Sequence, residues 1–232
     1  MSGPRAQKAA RAFVKVLQAA KVRFAILGPR ESSTGECVRR AGNEMLFQSL
    51  AGTLVATLAE LGVTRIVTCD PHAFNSLKNE YADFGGRYEV IHHTQLIDRL
   101  IGEGRLAPRR AFTGLLYHEP CYLARYNGEY EAPRRVIAAI SSDTPPEFDL
   151  ARDKAMCCGA GGARMWMEER TGKRINILRA EQALAKSPRI VATACPYCAT
   201  MLRDGVADLG RGDEVATRDI AELVAEALET PA

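Results

Sequence analysis

The chain has 232 residues, 47% of them hydrophobic and 25% charged, with a formal net charge of +3. That length can bury one large core or two small ones, and so small a charge excludes the basic footprint of a nucleic-acid-binding protein. The longest apolar runs, such as residues 190–194, fall far short of the ~20 residues that span a bilayer. A soluble, cytoplasmic chain is therefore expected, one that meets a membrane only through a partner.

At the N-terminus Arg5, Lys8 and Arg11 are spaced through Ala9, Ala10, Phe13, Val14 and Leu17. This is the pattern of an amphipathic helix, without the apolar core or cleavage site of a signal peptide. Residues 22–27 read as a strand stopped by Gly28-Pro29. A helix follows over about 39–61, with Met45, Leu46, Leu50, Leu54 and Leu58 at helical spacing, and ends at Gly62. Next come a strand at 65–68, a short helix at 75–81, a strand at 88–91 and a helix at 95–102. The same order returns as a strand at 113–118, a helix at 132–140, a loop at 143–146, a helix at about 165–185 and a strand at 189–192. A helix after Cys198 and a last helix at 218–228 complete the chain. Such alternation predicts an α/β fold with mostly parallel sheets, built as two pseudo-repeated Rossmann-like halves, residues 1–108 and 109–232.

Sliding the chain against itself by 125 positions supports the repeat: Pro71 falls on Pro196, Leu77 on Leu202 and Lys78 on Arg203. At that offset Ser32-Ser33 falls on Cys157-Cys158, Asp70 on Cys195 and Ala73 on Cys198. The first copy reads as one that has lost its thiols. The counterpart of Cys121 would lie four positions before the first residue, so the expectation is that a partner polypeptide supplies that strand and loop, or that this half folds without them.

Five of the seven cysteines form one ordered series: Cys121, the pair Cys157-Cys158, then Cys195 and Cys198 in Cys195-Pro196-Tyr197-Cys198, with nearly equal gaps. Clustering of this kind suits metal ligation in a reducing compartment better than a secreted disulfide framework. Two adjacent side chains diverge on a regular strand or helix, and the Gly159-Ala160-Gly161-Gly162 turn lets this pair converge. Thiolates select zinc, copper(I) or iron–sulfur clusters. A closed zinc site and a cubane cluster each take four cysteines, so a fifth implies a spectator or a larger, more open centre.

The series resembles the CCG (cysteine-rich) domain of heterodisulfide reductase, in its B-type chain, and of its relatives, a family that carries two such domains in tandem. Gly28-Pro29-Arg30-Glu31-Ser32-Ser33, Asp70-Pro71-His72-Ala73 and His92-His93-Thr94 resemble a branch of it. The resemblance runs from about Phe24 to Leu209. It implies an iron–sulfur centre in the second half, a noncubane [4Fe-4S] cluster in the best-understood relatives, with Cys121, Cys157, Cys158, Cys195 and Cys198 as ligands. It further implies an electron-transfer subunit or C-terminal part of a larger oxidoreductase, working with a ferredoxin-like iron–sulfur or flavoprotein subunit. Asp70, Ala73 and Ser33 stand where thiols are usual, which leaves the first half as scaffold and docking surface. Two alternatives stay open: a structural zinc module that docks a dehydrogenase, and a metal-free thiol redox protein using Cys195 and Cys198.

Cys37 and Cys69 read as core thiols, and Trp166 as a core residue. His118 could donate to a cluster sulfur or be satisfied by backbone. His92-His93 read as structural residues on opposite strand faces, Glu168-Glu169-Arg170 as a solvated helix face, and Arg164 as a cation near a helix start.

Overall fold

The computed structural model describes residues 4–229. Helix α1 (Pro4–Ala19) turns Phe13, Val16 and Leu17 inward, as the amphipathic pattern requires. Two helices, α2 (Glu36–Arg40) and α3 (Glu44–Glu60), replace the single one predicted over 39–61. Gly42 turns left-handed at φ +92°, and Asn43 then caps α3, its Oδ1 accepting from the Leu46 N–H at 3.1 Å. A left-handed residue closes one helix and a side-chain acceptor starts the next.

Strands β1 (Arg65–Thr68) and β2 (Glu89–His92) pair in parallel, with Ile66 opposite Val90. Between them α4 (Pro71–Asn75) runs on as a π turn over Ser76–Glu80, so this helix begins earlier than the predicted 75–81. After α5 (His93–Gly102) comes a second parallel sheet of β3 (Leu115–His118), β4 (Ile190–Thr193) and β5 (Ala216–Asp219). The central strand β4 sets Val191 between Leu116 and Thr217. The remaining helices are α6 (Glu131–Ile140), α7 (Ile175–Leu184), α8 (Pro196–Asp208) and α9 (Ile220–Leu228).

Three further expectations are corrected. Residues 22–27 form no strand, and Phe24 and Ile26 lie 40% and 77% exposed. The apolar pattern is present, but strand pairing is absent there. Of the helix predicted over 165–185 only the second part exists: Arg164–Trp166 make a single 3-10 turn, and α7 starts at Ile175. Glu168, Glu169 and Arg170 are therefore on no helix. Strand β5 was not expected. Asp219 caps α9, its carboxylate accepting from the Ala221 N–H at 2.8 Å, and this frees residues 216–219 to pair with β4.

Helix α1 packs on α9 and α5 on α6, so the largest apolar cluster draws Phe13, Leu54 and Ile97 together with Leu115, Ile137 and Ile220. His92 and His93 do not share a strand, because β2 ends at His92 and α5 begins at His93. Both are fully buried, with facing ring nitrogens 3.2 Å apart, and His93 Nε2 lies 3.2 Å from Asp219. They hold helix ends together, as structural residues do.

Candidate metal centre

Each sheet-to-helix turn around β3 and β4 delivers a thiol. Leaving β3, Glu119 anchors the turn before Cys121: it is buried, accepts from Arg134 of α6 at 2.8 Å and from the backbone N–H of Arg152. Leaving β4, Cys195 takes the N-cap position of α8 in extended conformation (φ −154°, ψ 127°), with Pro196 as the first helical residue. Helix α8 thus starts before Cys198 and places that residue in its first turn.

Cys157 and Cys158 converge through the expected turn. Gly159 adopts φ +87°, and its N–H donates to Cys157 Sγ at 3.3 Å. A side chain there would be strained, since a Cβ would sit 2.9 Å from Ile175 Cβ. Behind the site α8 presses on α7 at Gly205, where a Cβ would lie 2.6 Å from the Asn176 carbonyl oxygen. Asn176 Nδ2 donates to the Met201 carbonyl at 3.1 Å and fixes this contact.

The five sulfurs form one continuous group. Cys121 acts on Cys157, Cys157 on Cys158, and Cys198 on Cys195 as close neighbours; the Cys158 and Cys198 sulfurs are 3.3 Å apart. Cys158, Cys195 and Cys198 are buried, Cys121 and Cys157 half-buried, and all are free thiols. Crowding sets their acidities apart. Hydrogen bonds from Cys121 and then Cys158 hold Cys157 far below the usual thiol value against the opposing effect of burial. The bond to Cys157 raises both Cys121 and Cys158, and the bond to Cys158 raises Cys198. Burial resists ionisation of Cys195, yet bonds from Cys198 and His72 bring it down to about 7.

Two buried cationic or donor groups, Arg179 and His118, lie near these sulfurs. Arg179 of α7 is fully buried, lies 3.5 Å over the Phe148 ring, and donates from Nε to His118 Nδ1 at 3.2 Å. Because that nitrogen accepts, the neutral ring carries its hydrogen on Nε2. His118 Nε2 and Arg179 Nη2 have no hydrogen-bond partner, and the ligand atoms of His118, Cys158 and Cys198 lie within 4.8 Å of one another. Burial first, then the Arg179 charge, lower His118 to about 3, so the ring is neutral; burial also lowers Arg179 to about 10. Backbone alone does not satisfy this histidine.

The first half of the chain also reaches the centre. His72 of α4 bonds to Cys195, and its Nδ1 lies 3.1 Å from Glu36 Oε1. Burial disfavours the imidazolium, but the bonds to Cys195 and Glu36 outweigh it and raise His72 to about 11. Glu36 is lowered although burial opposes, because His72 bonds and attracts it. A shallow, solvent-open depression lies here between Glu36, Cys37, His72, Gly161, Trp166 and Tyr197. Cys69 is buried as expected, whereas Cys37 stands at this depression, 3.5 Å from the Tyr197 hydroxyl. Trp166 is 63% exposed at the rim rather than in the core. Arg164 pairs with Glu169 beside the glycine turn.

His72 of the first half thus reaches the centre, and sequence reasoning missed His72, Glu36 and Arg179. His72 had a signal, since it stands beside Pro71 at the offset that aligns Asp70 with Cys195. Arg179 had none, because nothing in its helix pattern sets it apart from a surface arginine.

A parallel α/β frame that gathers five thiols into one group defines a cysteine-rich redox or metal domain. The chain belongs to the CCG cysteine-rich domain family, whose model matches residues 1–78 and 115–203. It is 47% identical to a probable iron–sulfur-binding oxidoreductase of Bacillus subtilis, over 97% of this chain and 32% of that protein. It is 38% identical to an EtfAB:quinone oxidoreductase of Syntrophomonas wolfei, over 97% of this chain and 32% of that protein. It is also 31% identical to a dihydromethanophenazine:CoB–CoM heterodisulfide reductase subunit of Methanosarcina barkeri, over 92% of this chain and 54% of that protein. The chain therefore spans about a third to a half of these relatives. No helix among the described residues is long and apolar enough to cross a membrane.

The residues present fit an iron–sulfur cluster. Its iron would replace the protons that the crowded thiols contest, and its sulfur would accept from His118 Nε2 and Arg179 Nη2, which are otherwise left unpaired in the interior.

Proposed function

We propose that Cys121, Cys157, Cys158, Cys195 and Cys198 hold a [4Fe-4S] cluster of the noncubane, five-ligand kind. On this reading the chain is the electron-transfer part of a heterodisulfide-reductase-like or dehydrogenase-type oxidoreductase. The observation that carries it is the unbroken contact of five sulfurs, one more than a zinc ion or a cubane uses. When bound, the cluster supplies reversible electron uptake. The chain's own residues hold it: the thiolates ligate, the Gly159 N–H and the His118 Nε2–H donate to sulfur, and buried Arg179 offsets negative charge.

On this reading the chain works in the cytoplasm with a ferredoxin-like iron–sulfur or flavoprotein subunit and meets a membrane through it; that relatives are named an EtfAB:quinone oxidoreductase and a heterodisulfide reductase subunit supports partner subunits. Anaerobic purification followed by iron and sulfide analysis and low-temperature EPR tests the proposal. About four irons and four sulfides per chain are expected; a colourless protein with stoichiometric zinc and no sulfide overturns it.

A further inference from the structure

The half of the chain without the ligand set places one side chain against a candidate ligand. His72 is 6% exposed and wedged between rings, stacked on Tyr122 at 4.2 Å and edge-on to Tyr197 at 5.0 Å. Its helix is fixed from below by Asp70, whose carboxylate accepts the His72 N–H at 2.9 Å. Glu36 faces Nδ1 at 3.1 Å and is itself 4% exposed, with Arg40 Nε 3.4 Å away. Glu36, His72 and Cys195 come from α2, α4 and α8, so only the tertiary fold aligns them. The stack on Tyr122 and the edge of Tyr197 restrain the ring, and with the Glu36 carboxylate beside Nδ1 the other nitrogen is the one left for the sulfur.

We propose that His72 is a positioning residue of the centre, donating a hydrogen bond to Cys195 Sγ while Glu36 fixes the ring, and that this bond raises the reduction potential of the cluster. A donor on a ligand sulfur draws off electron density and stabilises the more negative, reduced state more than the oxidised one. The first half of the chain therefore tunes the centre, although it holds no ligand. The inference rests on the cluster reading and goes beyond it.

The test uses anaerobically prepared protein. Iron and sulfide are measured first, and the midpoint potential is then read by redox titration followed by EPR. In His72→Ala with full iron content, the reduced-to-oxidised ratio at the wild-type midpoint falls about tenfold, the scale of one hydrogen bond to a charged group. His72→Gln retains an N–H donor and recovers part of the shift. Glu36→Gln leaves the ring in its stack and moves the midpoint in the same direction, by about threefold in that ratio. If His72→Ala does not load iron, Glu36→Gln decides. An unchanged midpoint in loaded His72→Ala, or in Glu36→Gln, overturns the assignment. Wild-type protein without iron and sulfide overturns the cluster reading instead, and the inference with it.

Discussion

Strands β1 and β4 leave their sheets in the same way. Each passes through an extended residue, Asp70 or Cys195, into a helix that opens on proline. At the first turn the Asp70 carboxylate bends back and accepts the His72 N–H, closing the helix end with the chain's own atoms. At the second, Cys195 makes no capping bond, and its sulfur joins the thiol group. The glycine turns run parallel as well: Ser33 Oγ accepts from the Gly35 N–H at 3.1 Å, and Cys157 Sγ from the Gly159 N–H at 3.3 Å. One frame thus serves two ends. An oxygen acceptor of high hydrogen-bonding strength seals the turn, while a soft thiol leaves it available to a metal.

Exchanging the capping residues breaks this comparison most severely. Cys195→Asp gives the second turn the residue of the first; iron and sulfide are expected to fall to background while the metal-free fold stays intact, checked by metal analysis and circular dichroism. A smaller effect follows from the helix that carries Cys198. Gly205→Ala drives a methyl into the Asn176 carbonyl and should cost about 2 kcal/mol by denaturant unfolding. Helix α4, with no such glycine contact, offers no equivalent site.

A second pair of turns follows β2 and β5. Both His92 and Asp219 cap the helix after an outer strand within a capping box. Burial, then the neighbouring His93, holds His92 well below its usual value. In the unfolded chain it protonates near pH 6.5, but in the folded chain it does not, so stability is full above that pH and falls as pH drops. The expected loss is up to about 1.4 kcal/mol per pH unit below 6.5, and His92→Asn, which keeps a capping acceptor, should flatten that slope in urea titrations at pH 7.5 and 5.5. The smallest effect is the reciprocal exchange. Asp70→Cys removes a cap worth about 1 kcal/mol in the same assay and recruits no additional iron, because Ala73 and Ser33 provide no further thiols.

Much of the centre was legible because its signals are local. The Cys157-Cys158-Gly159 turn and the Cys195-Pro196-Tyr197-Cys198 helix start each bring two thiols together through backbone geometry within a few residues. The alternation of strands and helices was equally plain where apolar runs such as Ile190 to Thr193 are buried between neighbours. Polar strand β5 was not, since Ala216, Thr217, Arg218 and Asp219 extend only because β4 presents an edge to them. The reverse holds for Val22, Phe24 and Ile26, whose residues have a strand's pattern and no strand to pair with.

By itself, then, the sequence determined which thiols stand in series, where the backbone can turn to gather them, and the α/β class. Tertiary structure alone decided that His118 and Arg179 lie near the sulfurs and that His72, with Glu36 beside it, meets Cys195. The reason is physical: periodicity and turn chemistry act over a few residues, whereas a hydrogen bond between α2, α4 and α8 exists only after packing has removed water and left those groups each other as partners.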